Sequence, residues 1–196
     1  LTILMIGVFI KKSYNLVTNL TFLILLILIA ILFNEKGDTL IFSDIFISDS
    51  FSIFIKTLIL ISSLFILYSS QVFIKENNIS KFEYPIIFLI AILGMFFMVS
   101  ANDLILFYLG LELQSLALYI LTAIDRDNLR STESGIKFFI LSALSSGLLL
   151  YGCSLLYGFT GSTNFEIINK ELTSVNIGAV FAMVFIFYNV FIMILF

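Results

Sequence analysis

The amino-acid sequence predicts an all-α, polytopic transmembrane helical bundle of about six spans. Three observations predict it. First, 61% of the 196 residues are apolar and only 12% are charged, where a soluble domain is nearer half and a quarter. Second, the apolar residues fall into runs close to the roughly 20 residues that cross a hydrocarbon core about 30 Å thick at about 1.5 Å per residue. Third, most charges sit in the short connections between those runs. Ten basic and 13 acidic side chains could not keep a globule of this size wet.

The spans follow one another along the chain. The first is 16–33, LVTNLTFLILLILIAILF, and the second is 51–74, opening FSIFIKTLILISS. The third, 84–101, starts at Tyr84-Pro85, where proline suits a first helical turn. The fourth is 103–124, with Asp103 after a tight Ala101-Asn102 turn as an N-cap or first-turn acid. The fifth is 133–159, ended by Gly161 and the turn chemistry of GSTN. The sixth is 174–196. Residues 1–10 are apolar but too short to span, lack the flanks of a signal peptide and read as the remnant of an earlier helix. No repeat, linker or soluble insertion divides the chain, so 1–196 reads as a single transmembrane domain.

Basic residues orient the bundle. Alternate loops carry Lys11, Lys12, Lys75, Lys81, Arg126 and Arg130, while the opposite loops carry only Lys36 and Lys170. This positive-inside asymmetry puts loop 125–132 in the cytoplasm of a bacterium or the matrix of a mitochondrion. The Phe-rich, Trp-free composition suits an AT-rich, organellar genome. The Asn78-Ile-Ser80 sequon falls on that inner side and is discounted.

Several chemistries are excluded. One cysteine, Cys153, cannot make a disulfide or a Cys-ligated cluster within the chain, and the absence of histidine removes Ser-His-Asp catalysis and His-held haem. A net charge of −3 without a basic stripe speaks against nucleic acid as a partner. No P-loop, dinucleotide fingerprint or metal-ligand spacing is present, so no cofactor is expected on the chain itself.

What remains is ionisable groups inside the spans, which are costly in lipid and therefore candidates for function. Glu112 lies 13 residues before Asp125, about 20 Å into the membrane. Tyr108, Ser115 and Tyr119 share its helix face at −4, +3 and +7 and could hold a carboxylate or water. Lys137 follows Glu133 by four residues and is shallow enough either to snorkel or to serve a proton path. It differs from Glu112 by about nine residues of depth, roughly 13 Å, which is too far for a tight ion pair. Lys56 lies five residues into the second span, where snorkelling is the favoured reading. Ala143 and Gly147 form a small-xxx-small pair within the stretch Ser142–Gly147, which predicts close helix packing there, and Cys153 reads as a small apolar packer.

The motifs from Ser100 to Phe165 carry a family resemblance. The ANDL turn, GLELQSLALYIL, ESGIKFF and LLYGFTGSTNF, in that order and spacing, resemble chain 2 of NADH:quinone oxidoreductase, the N-type antiporter-like membrane subunit of respiratory complex I. EYPIIFLIAILGMFFMVS and DSFSIFIKTLIL, further upstream, are similar to the same family. The resemblance implies a fourteen-helix proton-translocating subunit of inverted repeats, with the six spans corresponding to helices two to seven. Glu112 matches the family's fifth-helix glutamate, Lys137 a sixth-helix lysine, and Lys56 the place of a third-helix lysine. The expected seventh-helix lysine and the later helices have no counterpart, which implies a fragment or a split subunit completed by a second chain.

The resemblance also implies an enzyme subunit, part of the proton-translocating NADH:ubiquinone reductase of the respiratory chain, without redox chemistry of its own. FMN, iron–sulfur clusters and quinone are then expected elsewhere in the complex. The expected partners are other membrane-arm subunits and lipid, in the mitochondrial inner membrane or a bacterial plasma membrane. The alternatives are a stand-alone cation/proton antiporter subunit and a structural scaffold piece.

Overall fold

The structure is a computed structural model that describes residues 2–9, 14–35, 39–42, 44–76, 81–172 and 177–195. Asn78-Ile-Ser80, Lys11, Lys12 and Lys36 lie outside the described residues. Among the described residues eight helices and one hairpin follow in the order α1 (Thr2–Phe9), α2 (Tyr14–Leu32), β1 (Thr39–Ile41), β2 (Phe46–Ser48), α3 (Ser50–Glu76), α4 (Glu83–Val99), α5 (Leu104–Thr122), α6 (Leu129–Thr160), α7 (Phe165–Glu171) and α8 (Ile177–Leu195). Among the described residues α2, α3, α5 and α6 are long and apolar enough to cross a membrane. The apolar helix α4 is 17 residues, about 25 Å, at the lower limit for a span, and the 19-residue α8 has no charged residue in its sequence. All six predicted spans are therefore helices.

The helix ends are set by local chemistry. Pro85 occupies the first turn of α4, where its missing N–H has no intrahelical acceptor to lose. The Asp103 carboxylate caps α5 by accepting from the Ile105 N–H at 2.7 Å. Asn128 caps α6 in the same way, accepting from Arg130 N–H at 3.0 Å. Gly161 ends α6 at φ 69°, in the left-handed region that glycine enters without a Cβ clash. Because Asn128 starts α6 earlier than the hydropathy suggested, this helix has 32 residues and extends beyond the predicted 133–159.

Two apolar clusters organise the bundle. Leu25 and Leu32 of α2, Leu60 and Leu67 of α3 and Ile92 of α4 form one. Leu104 of α5, Leu156 of α6, Ile168 of α7, and Ala179 and Ala182 of α8 form the other, with Cys153 packed against it. The seam between them is α4 on α5, the most extensive helix pair among the described residues. There two glycines bring backbone onto backbone. A Cβ on Gly94 would lie 2.6 Å from the Gln114 amide nitrogen and 2.9 Å from the Gly110 carbonyl oxygen. The predicted close contact through Ala143 and Gly147 is not made: both are exposed, and a Cβ on Gly147 would meet nothing within 4 Å. The packed face of α6 is instead Ser142, Ser145, Leu149, Gly152 and Leu156, because it is tertiary facing and not spacing alone that selects the contact.

The connections fall at two ends. At one, Tyr14, Lys75, Lys81 and Arg126 surround a common cavity, as the alternation of basic loops requires. At the other, residues 101–103, expected to be helix and tight turn, run extended between two neighbours. β1 and β2 pair antiparallel with Thr39 opposite Ser48, an element the sequence reading did not contain. Ile47 N–H donates to the Ser100 carbonyl and Asn102 N–H to the Ile45 carbonyl, both at 2.9 Å. On the other side Leu104 N–H donates to Thr163 and Phe165 N–H to Asn102. The Asn102 amide also donates to the Asp44 carbonyl, and the Thr163 hydroxyl donates to Asp103 at 2.5 Å. The GSTN run thus does more than turn the chain: Asn164 caps α7, a short helix absent from the sequence reading.

Replacing Gly94 by Ala should lower stability in a detergent thermal-unfolding assay by about 1–3 kcal/mol, the usual cost of overpacking. Gly147→Ala should stay within about 0.5 kcal/mol of the parent, and equal effects would refute the backbone contact. Asp103→Ala should cost about 1–2 kcal/mol, with Asp103→Asn retaining much of the cap; identical melting of the two variants would show that capping is not the cause.

Candidate functional site

Glu112 sits on the face of α5 turned towards α6. Helical periodicity explains its direction. Gly110 faces α4, and two residues on, about 200° around the helix, Glu112 faces nearly the opposite way. It is half-buried in a narrow cleft lined by Ser115 and Tyr119 of its own helix and by Ser142 and Ser146 of α6, with Leu111 and Leu149 closing the sides. Tyr108, one turn before Glu112, has its phenol within hydrogen-bonding reach of both the Glu112 carboxyl and the Ser146 hydroxyl.

The cleft is held by aromatic and hydroxyl contacts. Tyr119 is buried and meets Phe138 edge-on at 5.0 Å and Phe139 at 5.6 Å, which ties α5 to α6 beside the glutamate. The Ser115 hydroxyl donates to the Glu112 backbone carbonyl at 3.0 Å. This own-helix bond is one way to satisfy a hydroxyl in a setting without bulk water. No cation lies within ion-pairing distance of Glu112 among the described residues. A carboxyl beside hydroxyls in a cleft of about 10 Å³, room for one water at most, has those hydroxyls as its nearest hydrogen-bonding neighbours.

The structure brings Tyr108, Glu112 and Ser115 together, and it leaves both lysines elsewhere. Lys137 bonds Glu133 at 2.6 Å on the exposed face of α6, with 70% of its side chain accessible. It precedes Ser142 by five residues, which sets it about 140° around the helix from the cleft. Lys56 is half-buried in α3 and is in electrostatic contact with Glu35, just beyond the end of α2, which is the arrangement of a snorkelling lysine. Ser142 and Ser146 were assigned to packing from sequence; their i, i+4 spacing was the signal for a polar face that could have matched Glu112. Among the described residues no group of three or more Cys, Asp or Glu side chains could hold a metal ion.

Comparison with known proteins agrees with this architecture. The family described as NADH:quinone oxidoreductase/Mrp antiporter, transmembrane, matches residues 101–194. NADH-quinone oxidoreductase subunit N of Pelagibacter ubique is 50% identical over 186 residues, which is 94% of this chain and 40% of that protein. Subunit N 1 of Rhizobium meliloti is 46% identical over 189 residues, 95% of this chain and 39% of that protein. The chain thus spans about two fifths of the length of the curated relatives it matches. In fold it is similar to a chain of Thermus thermophilus respiratory complex I with bound aureothin, at a TM-score of 0.72 and 24% identity, covering 94% of this chain and 39% of that one. It is also similar to a chain of the archaeal membrane-bound sulfane sulfur reductase, at 0.73 and 16%, covering 95% and 40%. The motif resemblance is borne out, and the chain is an integral membrane protein with an antiporter-like helical fold.

Changing Tyr108 to Phe should shift the carboxyl infrared bands that disappear in Glu112→Gln, since it deletes the hydroxyl between Glu112 and Ser146. Bands unmoved by Tyr108→Phe would mean that the phenol does not bond the carboxyl.

Proposed function

From a chain homologous to the N subunits of NADH-quinone oxidoreductase, we propose a membrane-arm component of a respiratory complex I that carries part of a proton-translocation module. The half-buried Glu112 in its hydroxyl-lined cleft is the observation that carries this reading. A carboxyl at this depth is costly unless solvated, paired or protonated, so its charge state responds to any change in the field around it. Quinone reduction elsewhere in the complex would supply that change. Glu112 would take up or release a proton, and Tyr108, Ser115 and Ser146 would pass it along or hold the water that does.

Lys137 has a separate role in this proposal. On the outward face of α6 it can exchange Glu133 for a group on a neighbouring helix or subunit and so transmit a charge shift. Lys56, beside Glu35, serves as an anchor at the far membrane surface. The redox groups, FMN, iron–sulfur clusters and quinone, belong to other subunits, and the single transmembrane domain 1–196 contacts other membrane-arm subunits. The membrane is the mitochondrial inner membrane or its bacterial counterpart, with loop 125–132 on the matrix or cytoplasmic side, as the basic loops favour.

A second reading, a cation/proton antiporter subunit outside a redox enzyme, has support in the family description, which also names an antiporter. In the assembled enzyme, Glu112→Gln should lower NADH-driven proton pumping in sealed vesicles several-fold or more. Pumping and turnover equal to the parent would end the assignment, and sodium-dependent proton exchange without NADH would favour the second reading.

A further inference from the structure

Tyr119 stands between two cavities. It lines the Glu112 cleft together with Ser115 and is the lining residue of α5 nearest the basic end. A wider cavity of about 890 Å³ opens at that end, and α5 contributes Ile120, Ala123 and Ile124 to its wall. The two cavities share no lining residue. Ala123 is one helical turn beyond Tyr119 on the same face, so only about 6 Å of α5 separates the end of one cavity from the start of the other.

An aromatic stack fills that turn. Tyr119 is buried, with its ring edge-on to Phe138 at 5.0 Å and to Phe139 at 5.6 Å. Nearer the loop, Gly135 of α6 lies against α5: a Cβ on it would come within 2.6 Å of the Ala123 Cβ. The two helices thus close on each other at the basic end, and the cleft begins at Tyr119, where Ser115, Ser142 and Ser146 line the space between them. A stack of rings interrupts a file of water, because each buried water needs several polar partners. The stack is braced unevenly. Phe138 is half-buried, whereas Phe139 is 50% exposed on the outer side of α6 and leaves the tyrosine ring a direction in which to move.

We propose that Tyr119 is a positioning residue for Glu112, its ring a movable partition between the Glu112 cleft and the basic-end cavity. The proposal rests on the proton role given to Glu112 above and adds the control of access to it. The wider cavity has Lys75, Lys81, Glu83 and Arg126 around it and suits water. With the Tyr119 ring in place, that water is cut off from the carboxyl. With the ring displaced towards Phe139, the two cavities join across one helical turn, and Glu112 exchanges protons with the side of loop 125–132. The bulk of the ring does this, and the phenol oxygen is not needed for it.

The test reads access rather than pumping. In the assembled complex carrying Cys153→Ala, Glu112→Cys puts a thiol in the cleft. A small charged methanethiosulfonate is added on the loop 125–132 side of membrane vesicles, and labelling of this chain is followed by mass spectrometry. The thiol should react slowly when Tyr119 is present and equally slowly with Tyr119→Phe, which keeps the ring. Tyr119→Ala should raise the rate several-fold or more. Phe138→Ala, which removes one brace and leaves the tyrosine, should raise it as well. A control thiol from Ser63→Cys, buried in α3, should stay unlabelled throughout. Equal rates with Tyr119 and with Tyr119→Ala would overturn the partition, as would acceleration by Tyr119→Phe or a parallel rise at Ser63→Cys, the sign of a loosened bundle. Failure of the proton role itself is seen separately, as unchanged pumping in Glu112→Gln with the labelling pattern intact.

Discussion

The structure depends on the contact of α4 with α5 through Gly94 and Gly110. In a bilayer there is no water to expel from between helices, so association rests on close packing and on hydrogen bonds. A pair of glycines allows the two backbones to approach to a distance that any side chain would prevent. Everything else hangs on that seam. α4 carries the apolar cluster it shares with α2 and α3, and α5 carries the one it shares with α6, α7 and α8. Gly110 also lies two residues before Glu112, so pinning the glycine to α4 turns the carboxyl towards α6 and its serines.

That orientation governs the electrostatics. Glu112 is surrounded by groups that can donate or accept hydrogen bonds without imposing a charge of their own. Such surroundings differ from a fixed ion pair, which sets a partner of opposite charge against the carboxylate. Lys137 occupies the opposite case: a short bond to Glu133, in the open, where an ion pair contributes little to stability and its exchange for another partner costs little. The two groups thus differ in their surroundings: one sits in a neutral, hydroxyl-lined cleft and the other in an exposed ion pair.

Much of this was legible in the sequence because it is local. The spans follow from the length of apolar runs, and Pro85, Asp103 and Gly161 mark helix ends through their own backbone chemistry, while the cap at Asn128 starts α6 before the predicted 133. Glu112 and its face could be read from depth and from the 3.6-residue period. What was not legible is decided by tertiary facing. Ala143 and Gly147 have the spacing of a packing motif and lie on the open side of α6, while the true close contact uses two glycines 16 residues apart on different helices. The hairpin formed by Thr39–Ile41 and Phe46–Ser48 is too short to show a period and owes its position to hydrogen bonds with residues 100–102. That Ser146 comes close to Tyr108 depends on how α6 faces α5.

Asn102 gives the bundle a mechanical character. Its backbone and its side-chain amide bond to the 44–45 segment on one side and to Phe165 on the other, so three loops are stitched into one plate. The far end is tied more sparsely, by the Lys81 bond to Ile124 and the Ser131 bond to Thr122 beside an open cavity. A bundle stitched tightly at one end and loosely at the other yields unevenly to a lateral push, least at the Asn102 plate and most at the Lys75, Lys81 and Arg126 rim.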